Sequence, residues 1–325
     1  MEAANKPKIV MQFELRLGAS DRLREIAEVV VDPKLENAAG ADIFIPGGVR
    51  VDGALMDRLG PNLKAVCRPG IGVDTVDLEA AKERGILVIN TPDAPTESTA
   101  EHAVALLMAV AKRVMTGDMY LRGNSAITRE DMLGTELLGR TLGVVGYGRI
   151  GRRVAEICAL GLRMNVIVYD PFIDVNQPTP AGIQLTSDVE GLLKQANFVT
   201  LHVPLFPETR HFMNAERLQL MQPGSYLINA SRGPVVDEAA LIQALESGHL
   251  AGAALDVFDP EPPLADNPLL KMKNVVVTPH IASGTDRGVH AMMHGVADQI
   301  IQILNGERPP HIVNNVWPGR VQTNT

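Results

Sequence analysis

The sequence predicts an α/β protein made of two doubly wound parallel-sheet domains. Three observations carry this. The chain has 325 residues, more than one hydrophobic core comfortably serves. Short apolar, β-branched runs recur along it, each followed by a helical pattern, as βαβ units require. These runs fall into two series, separated by turn chemistry at Thr91-Pro92-Asp93-Ala94-Pro95-Thr96.

The first series contains Lys8 to Met11, Asp42 to Ile45, Leu63 to Val66 and Ile86 to Ile89. A long helical pattern then runs from about Ser98 to Arg113 and marks the first domain boundary. The second series contains Leu142 to Val145, Val166 to Tyr169, Phe198 to Leu201, Tyr226 to Asn229, Ala253 to Asp256 and Val275 to Val277. A final helical stretch, from about Arg287 to Asn305, follows the second sheet and is expected to return to the first domain. Residues 1–99 with 287–325 are therefore expected to form one domain, and 100–286 the other.

Composition excludes several classes of function. A net charge of −8 argues against the basic face that a phosphate backbone needs, so no nucleic-acid partner is expected. The longest uncharged apolar run, Ala103 to Ala111, is far shorter than the roughly 20 residues a membrane span needs. The start, Met1 to Lys6, has no secretory pattern. Cys67 and Cys158 lie in strand-like and helix-like runs and are expected to be reduced core residues in a cytoplasmic protein.

The strongest local motif is Gly146-Tyr147-Gly148-Arg149-Ile150-Gly151, which follows the strand ending at Val145 and is expected to open a helix from Arg152 to Leu160. Its glycines allow a tight turn, close approach of a pyrophosphate and close packing of helix on strand. The helix N-terminus then offers N–H groups to phosphate. The strand Val166 to Tyr169 ends in Asp170, where an acid can hold ribose hydroxyls. Its carboxylate would repel a 2′-phosphate, and Pro171-Phe172-Ile173 supplies no cation to accept one, so NAD is expected rather than NADP.

In such a fold the chemistry comes from the carboxyl ends of the later strands. Arg232 lies in the turn Ala230-Ser231-Arg232-Gly233-Pro234, Glu261 is held in Asp259-Pro260-Glu261-Pro262-Pro263, and His280 lies in Pro279-His280-Ile281-Ala282-Ser283-Gly284. Three such residues on the ligand edge of one sheet form a constellation. Reducing a ketone with hydride creates an alkoxide, so the site needs a proton donor and a fixed positive charge. An imidazolium at His280 can give that proton, a glutamate beside it favours the charged ring, and the fork of Arg232 suits a carboxylate.

With these residues the sequence closely resembles the D-isomer-specific 2-hydroxy-acid dehydrogenase family, most of all its phosphoglycerate dehydrogenase branch. The resemblance covers nearly the whole chain, including Arg68 to Asp74, Asn90-Thr91-Pro92, Thr99-Ala100-Glu101, the glycine motif, Asn229 to Gly233, Leu255 to Phe258, Glu261-Pro262-Pro263 and Pro279-His280. It implies a Rossmann NAD-binding domain and a flavodoxin-like substrate domain made from both chain ends. It also implies an NAD-dependent enzyme acting on a small 2-hydroxy acid, with Arg232 binding substrate, His280 as acid–base and Glu261 as its acidic partner. Arg68, Gly70, Ile71 and Gly72 correspond to the loop receiving the substrate carboxylate, and Asp256 to a residue near the nicotinamide amide. Further cofactor contacts are implied at Thr99, Pro204, Thr209, Ala230, Ser231 and Ser283, and His202, at a strand end on the cofactor edge, is a candidate contact with NAD. The segment near 115–138 resembles the family's dimerisation arm, so a homodimer is expected.

No metal is expected. His290 and His294 share a helix face but lack the glutamate of a zinc-protease motif, and His102 reads as part of the long helix. Among substrates, Arg129 falls where the phosphoglycerate branch carries a basic residue, whereas Pro46-Gly47-Gly48, Asp93-Ala94-Pro95 and Thr75 depart from that branch. The sequence ends soon after Trp317, so a form without the regulatory domain of the longer phosphoglycerate enzymes is expected. Glyoxylate, hydroxypyruvate or another short 2-keto acid stays open. The alternative from a different class is an NAD-sensing, corepressor-like binding protein without physiological turnover.

Overall fold

A computed structural model describes residues 6–123 and 126–317. The expectations that fall on residues 1–5, 124–125 and 318–325, at the start of the chain, within the arm and at the far end of the 287–325 segment, lie outside the described residues. In chain order the elements begin with β1 (Lys8–Met11), α1 (Ala19–Ile26), β2 (Glu28–Val31), β3 (Ile43–Ile45), α2 (Gly53–Leu59), β4 (Ala65–Cys67), α3 (Leu78–Glu83) and β5 (Leu87–Ile89). Next come α4 (Thr96–Ala111), α5 (Val114–Leu121), β6 (Thr141–Val145), α6 (Arg149–Glu156), β7 (Asn165–Tyr169), β8 (Ile183–Thr186), α7 (Val189–Gln195) and β9 (Phe198–Leu201). The rest are α8 (Ala215–Leu220), β10 (Ser225–Asn229), α9 (Glu238–Glu246), β11 (Leu250–Leu255), β12 (Val275–Val277) and α10 (Asp286–Leu304).

The chain divides into two compact units, Met1–Pro95 with Thr285–Thr325, and Thr96–Gly284. The first holds a parallel sheet in the order β2-β1-β3-β4-β5, the flavodoxin-like doubly wound order. Alternation along each strand feeds two apolar layers. Ile9, Met11, Ile43 and Ile45 pack with Leu23 of α1 and Val296 and Ile300 of α10, while Val10, Phe44, Val66 and Val88 pack with Leu55 and Leu59 of α2 and Ala81 of α3. Asp52, Asp77 and Thr285 cap α2, α3 and α10 by accepting from Leu55, Ala80 and Gly288 N–H groups, so the turn residues before these helices mark their starts.

The second unit holds seven parallel strands in the order β12-β11-β10-β9-β6-β7-β8. Leu142, Val144, Val166, Val168, Phe198 and Ile228 face α4 and α6, while Val145, Val199, Leu201, Leu227 and Leu255 face α7, α8 and α9. Gly143 in β6 is required by this packing, because a Cβ there would stand 2.4 Å from Leu192 Cδ2.

Several elements differ from the sequence reading. β2 and β8 were not expected: β2 is a short edge strand with both end residues exposed, and β8 has a polar residue at alternate positions. The helix after the glycine motif starts at Arg149 rather than Arg152, and past Glu156 it continues as a π-helical turn over Ile157–Gly161. The start at Arg149 brings the last three motif residues into the first helical turn. β11 starts at Leu250, earlier than its apolar run suggests, because Ala251 and Gly252 are small enough to lie in a buried strand.

After α10 the chain closes the free edge of β5. Ile312 bridges Ile89 in antiparallel fashion, and Val313 N–H donates to Val88 O at 2.8 Å. The buried Asn314 side chain extends this ladder, its Oδ1 accepting from Val88 N–H at 3.1 Å and its Nδ2 donating to Ile86 O at 2.8 Å. Asn314→Ala leaves both strand groups without these partners, a loss of about 1–3 kcal/mol for a buried pair of hydrogen bonds. Urea unfolding of the variant is expected to show that loss, and an unchanged midpoint and slope would show that Asn314 does not secure the edge.

Candidate active site

Glycine geometry builds the first part of the site, in the seven-stranded unit. Gly146 has φ +97°, and a Cβ there would come within 2.5 Å of His202 O. At Gly151 a Cβ would come within 2.0 Å of Gly146 O, so this glycine lets α6 pack against the turn. At Gly148, by contrast, a Cβ would meet nothing within 4 Å, so the main chain stands open where α6 begins. The first N–H groups of a helix have no intrahelical acceptor, and here they belong to Arg149, Ile150 and Gly151. Across the turn, Asp170 Oδ2 accepts from Tyr147 N–H at 2.8 Å and Oδ1 from Phe172 N–H at 2.9 Å, which fixes the carboxylate at the end of β7.

Beside this turn, His202 is partly buried, and its Nε2 meets Thr200 Oγ1 at 3.0 Å. Loss of hydration pushes its pKa down to about 4, so its ring is neutral near pH 7 and brings no positive charge to the edge. Thr209 turns inward on its own loop, its Oγ1 donating to Pro204 O at 2.6 Å and accepting from Phe206 N–H at 2.8 Å. Thr99 is buried in the first turn of α4, and Ala230 is buried just beyond β10.

The end of β10 is held by Asn229, whose buried Oδ1 accepts from Ser231 N–H and Oγ–H at 3.0 and 2.8 Å, while its Nδ2 donates to Arg232 O at 2.9 Å. Arg232 Nη1 donates to Ser231 O at 2.7 Å. Gly233 must be glycine, because a Cβ would stand 1.9 Å from Phe258 O. This close approach brings the Arg232 turn against the chain leading to Glu261.

His280 Nδ1 lies 2.5 Å from Glu261 Oε1, and both side chains are partly open to solvent. Burial works to raise the Glu261 carboxyl, but the hydrogen bond and charge of His280, the Phe258 backbone and the Arg232 charge outweigh it and hold the group below the usual carboxylate range. The Glu261 carboxylate is thus held in its charged form by the two other residues picked from the sequence. His280 has φ +52°, an unfavourable conformation for a residue with a Cβ. Asp256 holds it there. Its carboxylate, with no exposed surface, accepts from Thr278 Oγ1–H at 2.6 Å and from Ile281 and Ala282 N–H at 2.9 and 3.0 Å, and its carbonyl accepts from His280 N–H at 2.8 Å. Both carboxylate oxygens are therefore occupied in shaping the turn that ends at Ser283, and the contribution expected of Asp256 at a nicotinamide would come through that turn.

In the five-stranded unit the Arg68 guanidinium is engaged with main-chain carbonyls, Nε with Gly72 O at 3.2 Å and Nη1 with Pro46 O at 3.2 Å and with Gly47 O. Gly70 N–H donates to Thr91 Oγ1 at 2.7 Å, and Ile71 O accepts from Asn90 Nδ2 at 2.8 Å. Arg68 therefore braces the loop from Gly70 to Gly72. On α10, His290 and His294 stack at 4.2 Å between ring centroids, and the His294 nitrogens meet Arg22 Nη1 and Leu17 O. Among the described residues no group of three or more His, Cys, Asp or Glu is placed to hold a metal ion.

Three contributors were not picked out in the sequence. Asn229 lies inside a quoted motif without an assigned task, and Thr278 lies between the last strand and Pro279-His280. His102, read as part of the long helix, has its Nε2 3.1 Å from Thr278 Oγ1. A signal for it exists, since Thr99 and His102 are three apart and share one face of a largely apolar helix.

Comparison with known proteins gives the chain clear relatives. Residues 104–282 match the family model described as D-isomer specific 2-hydroxyacid dehydrogenase, NAD binding domain. The D-3-phosphoglycerate dehydrogenase of Methanocaldococcus jannaschii is 40% identical over 314 residues, which cover 94% of this chain and 59% of that protein, so the chain spans little more than half of that relative's length. The glyoxylate reductase of Thermococcus litoralis is 42% identical over 325 residues, covering 95% of this chain and 97% of the reductase. The structure of D-lactate dehydrogenase from Aquifex aeolicus, solved with NAD and lactic acid, superposes with a TM-score of 0.84 at 30% identity, over 96% of this chain and 100% of that one. Likeness of this extent, in sequence and in fold alike, makes the chain a member of the D-isomer-specific 2-hydroxyacid dehydrogenase family.

Proposed function

We propose that the chain is an NAD-dependent oxidoreductase acting on the CH–OH group of a small D-2-hydroxy acid, with glyoxylate, hydroxypyruvate or a phosphoglycerate-like acid on the keto side. The observation that carries this reading is the 2.5 Å contact of His280 Nδ1 with Glu261 Oε1, with the Arg232 charge acting on the same carboxylate. The residues around the glycine turn fit a dinucleotide, since the open main chain at Gly148, the N-terminus of α6 and the fixed Asp170 carboxylate offer what a pyrophosphate and a ribose need. When bound, NAD(H) supplies or accepts the hydride.

The chain's own residues manage the proton and the charge. With Nδ1 turned to Glu261, His280 presents Nε2 to a substrate carbonyl, and the protonated ring gives that oxygen a proton during reduction and takes it back during oxidation. Glu261 stabilises the charged ring in between and fixes its orientation. Arg232 binds the substrate carboxylate through its planar fork. For the loop from Gly70 to Gly72 we infer a substrate-binding role through its main chain, supported by the way Arg68 and Thr91 hold it. Two free, buried cysteines support a cytoplasmic setting.

The homodimer expected from the arm near 115–138 belongs to the same proposal. It is supported by apolar side chains left exposed in that segment, Leu121 at 85% and Leu133 at 81%. Sedimentation is expected to give twice the 35.0 kDa chain mass, and a monomer at micromolar concentration would remove this part of the reading.

Arg232→Lys tests the substrate site, because it keeps the charge and loses the fork. Reduction of 2-keto acids by NADH is expected to drop by at least about a hundredfold in kcat/KM with NADH affinity little changed. Near-normal turnover would take Arg232 out of the site. In the same titrations, wild-type protein should bind NADH at least about tenfold tighter than NADPH, a difference of about 1.4 kcal/mol set by Asp170, and equal affinities would overturn that assignment.

A further inference from the structure

His102 stands outside the hydride-transfer reading, yet it reaches the turn that carries His280. Its side chain is 19% exposed, and its Nε2 lies 3.1 Å from Thr278 Oγ1 and 3.4 Å from Asp256 Oδ1. The direction of the bonds follows from the donor inventory. Asp256 Oδ1 already accepts the Ile281 N–H, so the 2.6 Å contact with Thr278 is a hydroxyl donating to a carboxylate oxygen. With its only proton used there, Thr278 Oγ1 can do no more than accept from His102. The ring must therefore carry its hydrogen on Nε2.

We propose that His102 is a positioning residue for His280, which acts through Thr278 and Asp256. Its Nε2–H fixes the Thr278 hydroxyl, which with the Ile281 and Ala282 N–H groups holds the buried Asp256 carboxylate. That carboxylate and the Asp256 carbonyl hold the turn in which His280 keeps φ +52°. The relay starts on α4 and ends beside the acid–base group, all within Thr96–Gly284. Polar groups gathered in this way on one buried carboxylate depend on every member being satisfied. The kinetic consequence rests on the hydride-transfer reading above, whereas the consequence for the turn does not.

The chain is tested with a pair of variants that differ in where they place a donor. In His102→Gln the amide nitrogen falls near the position of Nε2, and in His102→Asn it falls near Nδ1 and cannot reach Thr278. Amide hydrogen exchange at Ile281 and Ala282 is expected to be about tenfold faster in the Asn variant than in the Gln variant, which stays close to wild type. The kcat for glyoxylate reduction should fall in the same order, by about tenfold between the two, with the NADH Kd unchanged. Where the Asn variant does not fold, Thr278→Val breaks the same relay and should speed exchange at the same two amides. Equal exchange in the Gln and Asn variants, or protection unaltered in Thr278→Val, overturns the proposal. If wild-type protein reduces no 2-keto acid, the reaction reading fails, and the exchange comparison still decides the role of His102.

Discussion

The Asp256 carboxylate has no exposed surface, and a carboxylate buried in this way is tolerated only where hydrogen bonds replace the water it has lost. Thr278, Ile281 and Ala282 supply those bonds, and all three lie on the segment that follows β12. Meeting the needs of one buried group at the end of β11 therefore dictates the path of the chain around His280. The same residue ties β11 to β10, because its N–H donates to Asn229 O at 2.9 Å. The adjacent ends of three parallel strands are joined at one point.

Much of the site's geometry follows from that join. β10, β11 and β12 are neighbours in the sheet, so the turns after them are brought together without long-range loops. Asn229 shapes the first turn and gives Arg232 its place, and Gly233 lets this turn approach Phe258 more closely than any side chain would allow. The second turn leads to Glu261, and the third, organised by Asp256, carries His280 to within 2.5 Å of it. The strain at His280 is local, and it is met by hydrogen bonds to groups that are themselves buried. On the other side of β9 the glycine turn and Asp170 form a second rigid element at the carboxyl edge of the same sheet, where open α/β sheets bind their ligands.

The parts legible in the sequence were those with a strong local signature. β1, β9 and β12 are short, mostly apolar and β-branched or aromatic runs and lie where the pattern puts them. β2 and β8 lie toward or at sheet edges, bury only part of their surface, and lack a run that periodicity can detect. The apolar pattern puts the start of α6 three residues late because glycine and arginine give no apolar signal, although Gly148 opens the helix there. Arg232, Glu261 and His280 stood out as unusual residues in rigid turns, and the resemblance gave each a role to expect. What could not be read from the sequence was the support beneath them. Thr278 and His102 act through contacts between residues far apart in the chain, 176 positions for this pair and 22 for Thr278 and Asp256, and such pairing is set by the sheet order rather than by spacing, whereas Asn229 works on its own turn, two and three residues on.

Replacing Asp256 by Asn tests the organising role of this carboxylate most directly, since the amide keeps the shape but turns one acceptor oxygen into a donor facing N–H or O–H groups. In a variant shown by circular dichroism to be folded, single-turnover reduction of glyoxylate by NADH is expected to slow by at least about tenfold, the equivalent of about 1.4 kcal/mol. A folded Asp256→Asn variant that reduces glyoxylate at the wild-type rate would contradict the claim that this buried group holds the site together.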